Sequence, residues 1–375
     1  MSNHGKSVFY HSIQKLKKNA LAIAALVVIV LAAIASVFCY VLATDYTKDA
    51  ALQQVVLKYK PIGYKQLMLK VPLSDYTPGR TFSDYFLGKK QDFEEIPITQ
   101  YQIKGEQIIY IPYIGDGLQA EPKEKDLKIW TEKNIKLEDI TKDFIYTQKF
   151  YLGTDSFGRD FYSRLLVGTR ISFFIGFIAV AISLLVGIVL GALGGYYGGK
   201  TDAAIMWLIN VVWSIPTLLL VMAITLAIGK GFWQIFIAVG LTMWVEVARV
   251  VRGQFLSFRK KEFVEAAQSL GMSNARIMFK EILPNVVAPV IVISAANFAA
   301  AILVESGLSF LGIGAQPPTP SWGNIIKENY THILLGMQYL AFLPGLCILL
   351  LVLAFNVFGN SLRDALDVKN ARFKH

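Results

Sequence analysis

The chain has 375 residues, of which 54% are hydrophobic and only 17% charged, with a formal net charge of +10 at pH 7. A soluble domain carries about a quarter charged residues, so this composition excludes an ordinary soluble protein. Both cysteines, Cys39 and Cys347, lie in apolar blocks without CxxC or His-rich spacing, which excludes a disulfide framework and a metal constellation, and the basic residues are too scattered for a nucleic-acid surface.

A helix needs roughly 20 apolar residues to cross a hydrocarbon core about 30 Å thick. Six blocks qualify: 20–43, 171–193, 204–226, 232–251, 286–303 and 338–358. They predict an all-α polytopic membrane protein with six transmembrane helices. Residues 1–19, with Lys6, Lys15, Lys17 and Lys18, read as a cytoplasmic N-terminus under the positive-inside rule. The first block far exceeds a signal-peptide core of roughly 7–15 residues and no small-x-small site follows, so it reads as an uncleaved span.

Residues 44–149 have a different texture. Residues 96–103 and 108–114 alternate on either side of Lys104-Gly105-Glu106, which predicts a β-hairpin. The segment is therefore expected to be a small extracytoplasmic β-containing insertion, either a solvated spacer or a docking surface for a soluble partner. Arg159, Arg164 and Arg170 fall on the outer side in this orientation, a departure tolerated because the rule weakens in loops beyond about 60 residues.

The stretch from Gly194 to Thr201 satisfies the phosphate-loop pattern. A phosphate loop follows a buried strand and opens a helix in an α/β domain, whereas this one joins two spans, so it is expected to be a glycine-rich turn. Further on, Arg249, Arg252, Arg259, Lys260, Lys261, Arg276 and Lys280 mark the connection between spans 4 and 5 as cytoplasmic, like the tail 368–375 with Lys369, Arg372 and Lys374. Glu246, three residues before Arg249, is expected to pair with it.

The connection 252–285 is too long for a plain linker. Lys261 to Leu270 reads as a helix with Ala at its contact face, Gly271 as its stop, Ser273 as the cap of a second helix, and Pro284 as the end of that helix or the start of the fifth span. A short rigid helix of this kind can lie in a partner's groove and carry a push into two attached spans.

At Glu265-Ala266-Ala267, Gly271 and Leu283-Pro284 the sequence resembles the EAA loop of membrane subunits of bacterial ABC importers. Glu281 departs from it, standing where the family has an apolar residue or His. Leu152-Gly153-Thr154-Asp155-Ser156-Phe157-Gly158-Arg159-Asp160, Ser163-Arg164, Ser309-Phe310-Leu311-Gly312, Gln316-Pro317-Pro318-Thr319-Pro320-Ser321-Trp322-Gly323 and Leu362-Arg363-Asp364-Ala365-Leu366-Asp367 narrow the resemblance to the oligopeptide, dipeptide and nickel permeases, in their C-type partner. The likeness covers the core 150–367 and implies a type I importer permease fold.

The resemblance implies a pathway for oligopeptides or dipeptides, with nickel or another small solute as the alternative and a stand-alone secondary transporter less favoured. It implies as partners a homologous B-type permease, two ABC ATPase subunits, an extracytoplasmic substrate-binding protein and membrane lipid. Catalysis and cofactors would reside elsewhere, with ATP and Mg on the ATPases, and the site would be the bacterial plasma (inner) membrane with both termini cytoplasmic. The implied ATPase-coupling residues are Glu265, Ala266, Ala267, Gly271, Ser273, Arg276, Leu283 and Pro284.

Gate or pathway candidates are Asn210 and Pro216 in the third span, and Glu305. A 1.5 Å rise carries Glu305 roughly 30 Å beyond Pro284, to the outer boundary, as a gate group or a snorkelled surface carboxylate. Trp207 and Asn210 stand where the family's Arg and Asp are expected, and Trp322 is expected to anchor at the membrane interface.

Overall fold

The computed structural model describes residues 14–229 and 231–366. Lys6, Asp367 and the predicted tail 368–375 lie outside the described residues. The principal helices are α1 (Ala20–Val37), α2 (Phe161–Tyr197), α3 (Gly199–Trp213), α4 (Thr217–Ile228), α5 (Phe232–Phe258), α6 (Glu262–Ser269), α7 (Leu283–Phe310), α8 (Trp322–Asn329) and α9 (Tyr339–Leu366). The chain divides into two compact units, one comprising the chain up to Ile34, Ile171–Gln316 and Gly345 onward, the other Ala35–Arg170 with Pro317–Pro344.

In the helical unit, α1, α2, α5, α7 and α9 are each long and apolar enough to cross a membrane. The block 204–226, read above as one span, is instead a pair: α3 and α4 bend by 92°. Pro216 sits at the N-cap of α4 with an extended ψ of 125°. It has no N–H to continue the helical ladder and its ring disfavours helical geometry at Ile215, so the span breaks here while remaining apolar on both sides. Gly198 and Gly199, at φ +67° and +53°, make the turn between α2 and α3, so the phosphate-loop pattern joins two helices as expected.

Helices α2 and α5 meet at backbone distance. A Cβ on Gly187 would lie 2.5 Å from the Val247 side chain, one on Gly191 2.6 Å from the Ala248 carbonyl, and one on Gly195 2.5 Å from Phe255. Spacing four residues apart puts these glycines on one stripe, and only hydrogen fits there. This close approach fixes α5, whose end leads into the 252–285 connection.

The other unit is built on an antiparallel sheet of β1 (Tyr64–Pro72), β2 (Phe93–Lys104), β3 (Gln107–Pro112), β4 (Lys123–Asp126) and β5 (Ile145–Phe150), ordered β4-β3-β2-β1-β5. The expected hairpin is β2–β3, with Lys104 opposite Gln107 and Gly105 at φ +58° in the turn. One face buries Leu69, Ile98, Ile108, Trp130 and Ile140. The Trp130 indole N–H, which must find an acceptor once buried, donates to the Lys70 carbonyl at 3.1 Å.

This unit is wider than 44–149 because a charge network draws in the start of α2 and α8. Asp155 Oδ2 accepts from Arg159 Nε at 2.6 Å and faces Arg164 Nε at 3.5 Å, while Glu328 Oε2 accepts from Arg159 at 2.5 Å and Arg164 at 2.9 Å. Two cations are matched by two carboxylates, which explains how Arg159 and Arg164 are tolerated. Asp160 accepts from Ser163 and Thr44, whose segment follows α1. Trp322 is no interface anchor: it is 2% exposed, fills the notch at Gly168 and donates to the Leu165 carbonyl at 3.3 Å.

Burial raises two carboxyls outside the spans, Asp45 to about 6 and Glu95 to about 7, against which hydrogen bonds from Thr47 and Tyr146 pull only partly. Unfolded, both ionise near pH 4. Because the folded form holds these protons more tightly, their contribution is full below about pH 4 and is lost as pH rises through 6 to 7. Thermal midpoints of the solubilised full chain are therefore expected to be higher at pH 5.5 than at pH 8, and Glu95→Gln should narrow that difference. A variant with an unchanged difference would count against the assignment.

Candidate functional site

Helix α6 is fastened to its own protein by one face. Val264 and Ala267, three residues apart, are buried with Val251, Phe255, Ile277, Met278 and Ile282. Ala267, expected at the partner-contact face, thus turns inward, because the helix needs an apolar anchor and only Val264 and Ala267 share that side. Glu265 and Ala266 are exposed. Phe263, Ala266 and Leu270 form a second, outward stripe at spacings of three and four, with Leu270 81% exposed.

Gly271 follows at φ +73°, and no atom lies within 4 Å of where its Cβ would be. Glycine is required there by backbone conformation and not by lack of room. Ser273 Oγ accepts from the Arg276 N–H at 3.4 Å, the expected cap, and Arg276 itself is exposed.

The second helix does not stop at Pro284. Residues Asn274–Arg276 lead through a wider π turn, Ile277–Ile282, into α7, giving one continuous helix over Asn274–Phe310. A wide turn just before the proline relieves the clash its ring would cause, and Asn285 Nδ2 donates to the Glu281 carbonyl at 2.7 Å. Leu283 is half-buried and Pro284 exposed. A force on α6 therefore meets, through Val264 and Ala267, a continuous helix about 55 Å long.

The base of this assembly is braced by the glycine turn. Arg259 donates to the carbonyls of Gly195 and Tyr196 at 3.4 and 3.3 Å, and Gly198 offers no Cβ to the guanidinium. Arg252 and Asp202 form a two-point ion pair tying α5 to α3. Tyr196 Oη donates to Asn274 Oδ1 at 2.9 Å.

The expected Glu246–Arg249 pair does not form among the described residues. Arg249 donates to Asn210 Oδ1 at 3.1 Å and lies 3.7 Å over the Trp213 ring, while Glu246 is exposed. Asn210 is thus a strut from α3 to α5 and Pro216 the exposed break two turns further on. Trp207, also on α3, is 67% exposed.

Glu305 is neither exposed nor snorkelled. It is fully buried, accepting from Ser309 Oγ at 2.6 Å and from Ser172 Oγ of α2 at 3.4 Å. Ser309 Oγ in turn accepts from the Ala315 N–H at 3.1 Å, so the carboxylate holds α2, the end of α7 and the turn after it together. The i, i+4 spacing of Glu305 and Ser309 was visible in the sequence, but Ser172 lies 133 residues away.

Residues 165–372 match the family described as "Binding-protein-dependent transport system inner membrane component". The oligopeptide transport system permease protein OppC of Bacillus subtilis (strain 168) is 39% identical over 219 residues, 58% of this chain and 72% of the relative. The dipeptide transport system permease protein DppC of the same organism is 41% identical over 59% of this chain and 69% of its own length. The glutathione transport system permease protein GsiD of Pectobacterium atrosepticum is 40% identical over 58% and 72%. The sheet lies outside the family match, whereas the α2–α3 turn, α6, Gly271, Glu305 and α8 lie within it. The chain belongs to the binding-protein-dependent transport system inner membrane component family.

Proposed function

We propose that this chain is the C-type permease subunit of an ATP-driven importer of oligopeptides or dipeptides. The observation that carries the reading is α6: one face is locked into a core continuous with α5 and α7, and a second stripe of Phe263, Ala266 and Leu270 faces outward, with Phe263 flanked by the Phe258 ring. A soluble motor seated on that stripe would move two membrane helices at once. The transported class rests on relatives named for oligopeptide, dipeptide and glutathione transport.

In this reading a B-type permease completes the pathway, two ATPases hold ATP and Mg and seat on the coupling helices, and an extracytoplasmic binding protein delivers cargo. Both termini are cytoplasmic, the sheet unit is outside, and the chain performs no catalysis. Glu265, Ala266, Gly271, Ser273 and Arg276 present the docking surface; Ala267, Leu283 and Pro284 transmit from beneath it. The break at Pro216, the Asn210 strut and the buried Glu305 are the gate elements.

Co-reconstitution with the B-type permease, the ATPases and the binding protein tests this. Labelled dipeptide is expected to accumulate only with ATP, and a cysteine at Ala266 (Ala266→Cys) to crosslink to an ATPase subunit. Uptake by this chain alone on an ion gradient, or an uncrosslinked ATPase in an active assembly, would overturn the reading.

A further inference from the structure

The sheet unit contains a cavity of about 410 Å³ walled by Tyr46, Lys70, Tyr76, Arg80, Asp139 and Asp143 among others. That volume is in the range of small-molecule sites and suits an amino acid or a dipeptide.

The basic side of the cavity is short of counter-charge. Lys89, a third lining cation, is matched by Asp92 at 2.9 Å and donates to the Thr77 carbonyl. Lys70 of β1 makes its direct contacts with neutral groups: its ammonium donates to Tyr46 Oη at 2.6 Å and sits 3.6 Å over the Phe93 ring. Arg80 likewise stacks 3.5 Å over the Tyr46 ring and donates to the Tyr40 carbonyl at 3.1 Å. Neither forms an ion pair with a described residue. Burial lowers the pKa of Lys70, and the more distant Glu95 and Asp92 offset this only in part. A cation desolvated in this way gains from an arriving anion.

Asp139, half-buried, and Asp143, exposed, lie on the same cavity wall and are also in no ion pair with a described residue. A simple phosphate would be repelled by them. A molecule carrying both charges uses both sides.

We propose that this cavity binds a small zwitterion of the amino-acid or short-peptide class, with its carboxylate on Lys70 and Arg80, its ammonium on Asp139 and Asp143, and its body between Tyr46 and Tyr76. The site is separate from α6 and needs no transport. Binding is measured by calorimetry on the purified full chain in detergent, with alanylalanine, its N-acetyl and C-amide derivatives, and inorganic phosphate as probes.

Saturable binding of alanylalanine is expected, weakened at least tenfold by either capped derivative, by Arg80→Gln and by Asp143→Asn. Arg80 lies on a loop, so its variant keeps the sheet, whose far-ultraviolet dichroism is the control. Absence of saturable binding, phosphate binding as tight as the dipeptide, or Arg80→Gln with unchanged affinity each overturns the proposal. None of these bears on ATP-driven uptake, so import can fail or stand independently.

Discussion

Gly271→Val is expected to cut ATP-driven uptake by the assembled importer about tenfold or more while leaving the chain inserted in the membrane. Gly271 holds φ +73° with open space around its Cβ position, so bulk alone costs nothing there. The cost is conformational: an L-residue in the left-handed region pays roughly 1–2 kcal/mol, and a β-branched one is the worst case. A shift of about 1.4 kcal/mol away from the working turn is a factor of ten in its population or in a barrier that depends on it.

If the turn relaxes to negative φ, the direction from α6 into the Ser273 cap changes, while Val264 and Ala267 still hold the helix to its core. The docking stripe is then present but misaimed. Gly271→Asn is the discriminating control, because asparagine tolerates this region far better and should keep most of the uptake. Uptake within twofold of the unaltered chain for the valine variant, with normal insertion, would dismiss a mechanical role for the turn.

The sequence exposes local features well and distant ones poorly. The β2–β3 hairpin was readable because alternation and a turn glycine are both local, and the α6–Gly271–Ser273 unit for the same reason. The break at Pro216 was written in Ser214-Ile215-Pro216 but masked by uniform hydropathy on either side, since an apolar average carries no information about direction. Counting residues gives the rise of Glu305 along its helix, yet its burial depends on Ser172, which no count supplies. Arg249 chose Asn210 and Trp213 over Glu246 because a planar guanidinium can donate and stack at once, a contact set by how α3 meets α5.

The longest-range of these dependencies gives the second large effect: Glu328→Gln is expected to destabilise the sheet unit by about 3 kcal/mol. Arg164 is 1% exposed and Arg159 4%, and Glu328, 164 residues beyond Arg164, accepts from both. Neutralising it leaves two buried guanidinium groups to share Asp155. Removing one partner from a buried network costs about 3–5 kcal/mol because the remaining charge has already lost its water, and Glu328, with its side chain 15% exposed, belongs at the lower end. Replacing Arg164 with methionine as well restores the balance of charge, leaving Asp155 and Arg159 as one pair at 2.6 Å. The double variant is therefore expected to lose less than the sum of Glu328→Gln and Arg164→Met, by about 1 kcal/mol or more, the size of coupling found between residues in contact. Thermal and denaturant unfolding of the solubilised full chain measures all three. Strict additivity, or a Glu328→Gln loss below about 1 kcal/mol, would mean that water and not Glu328 satisfies these arginines.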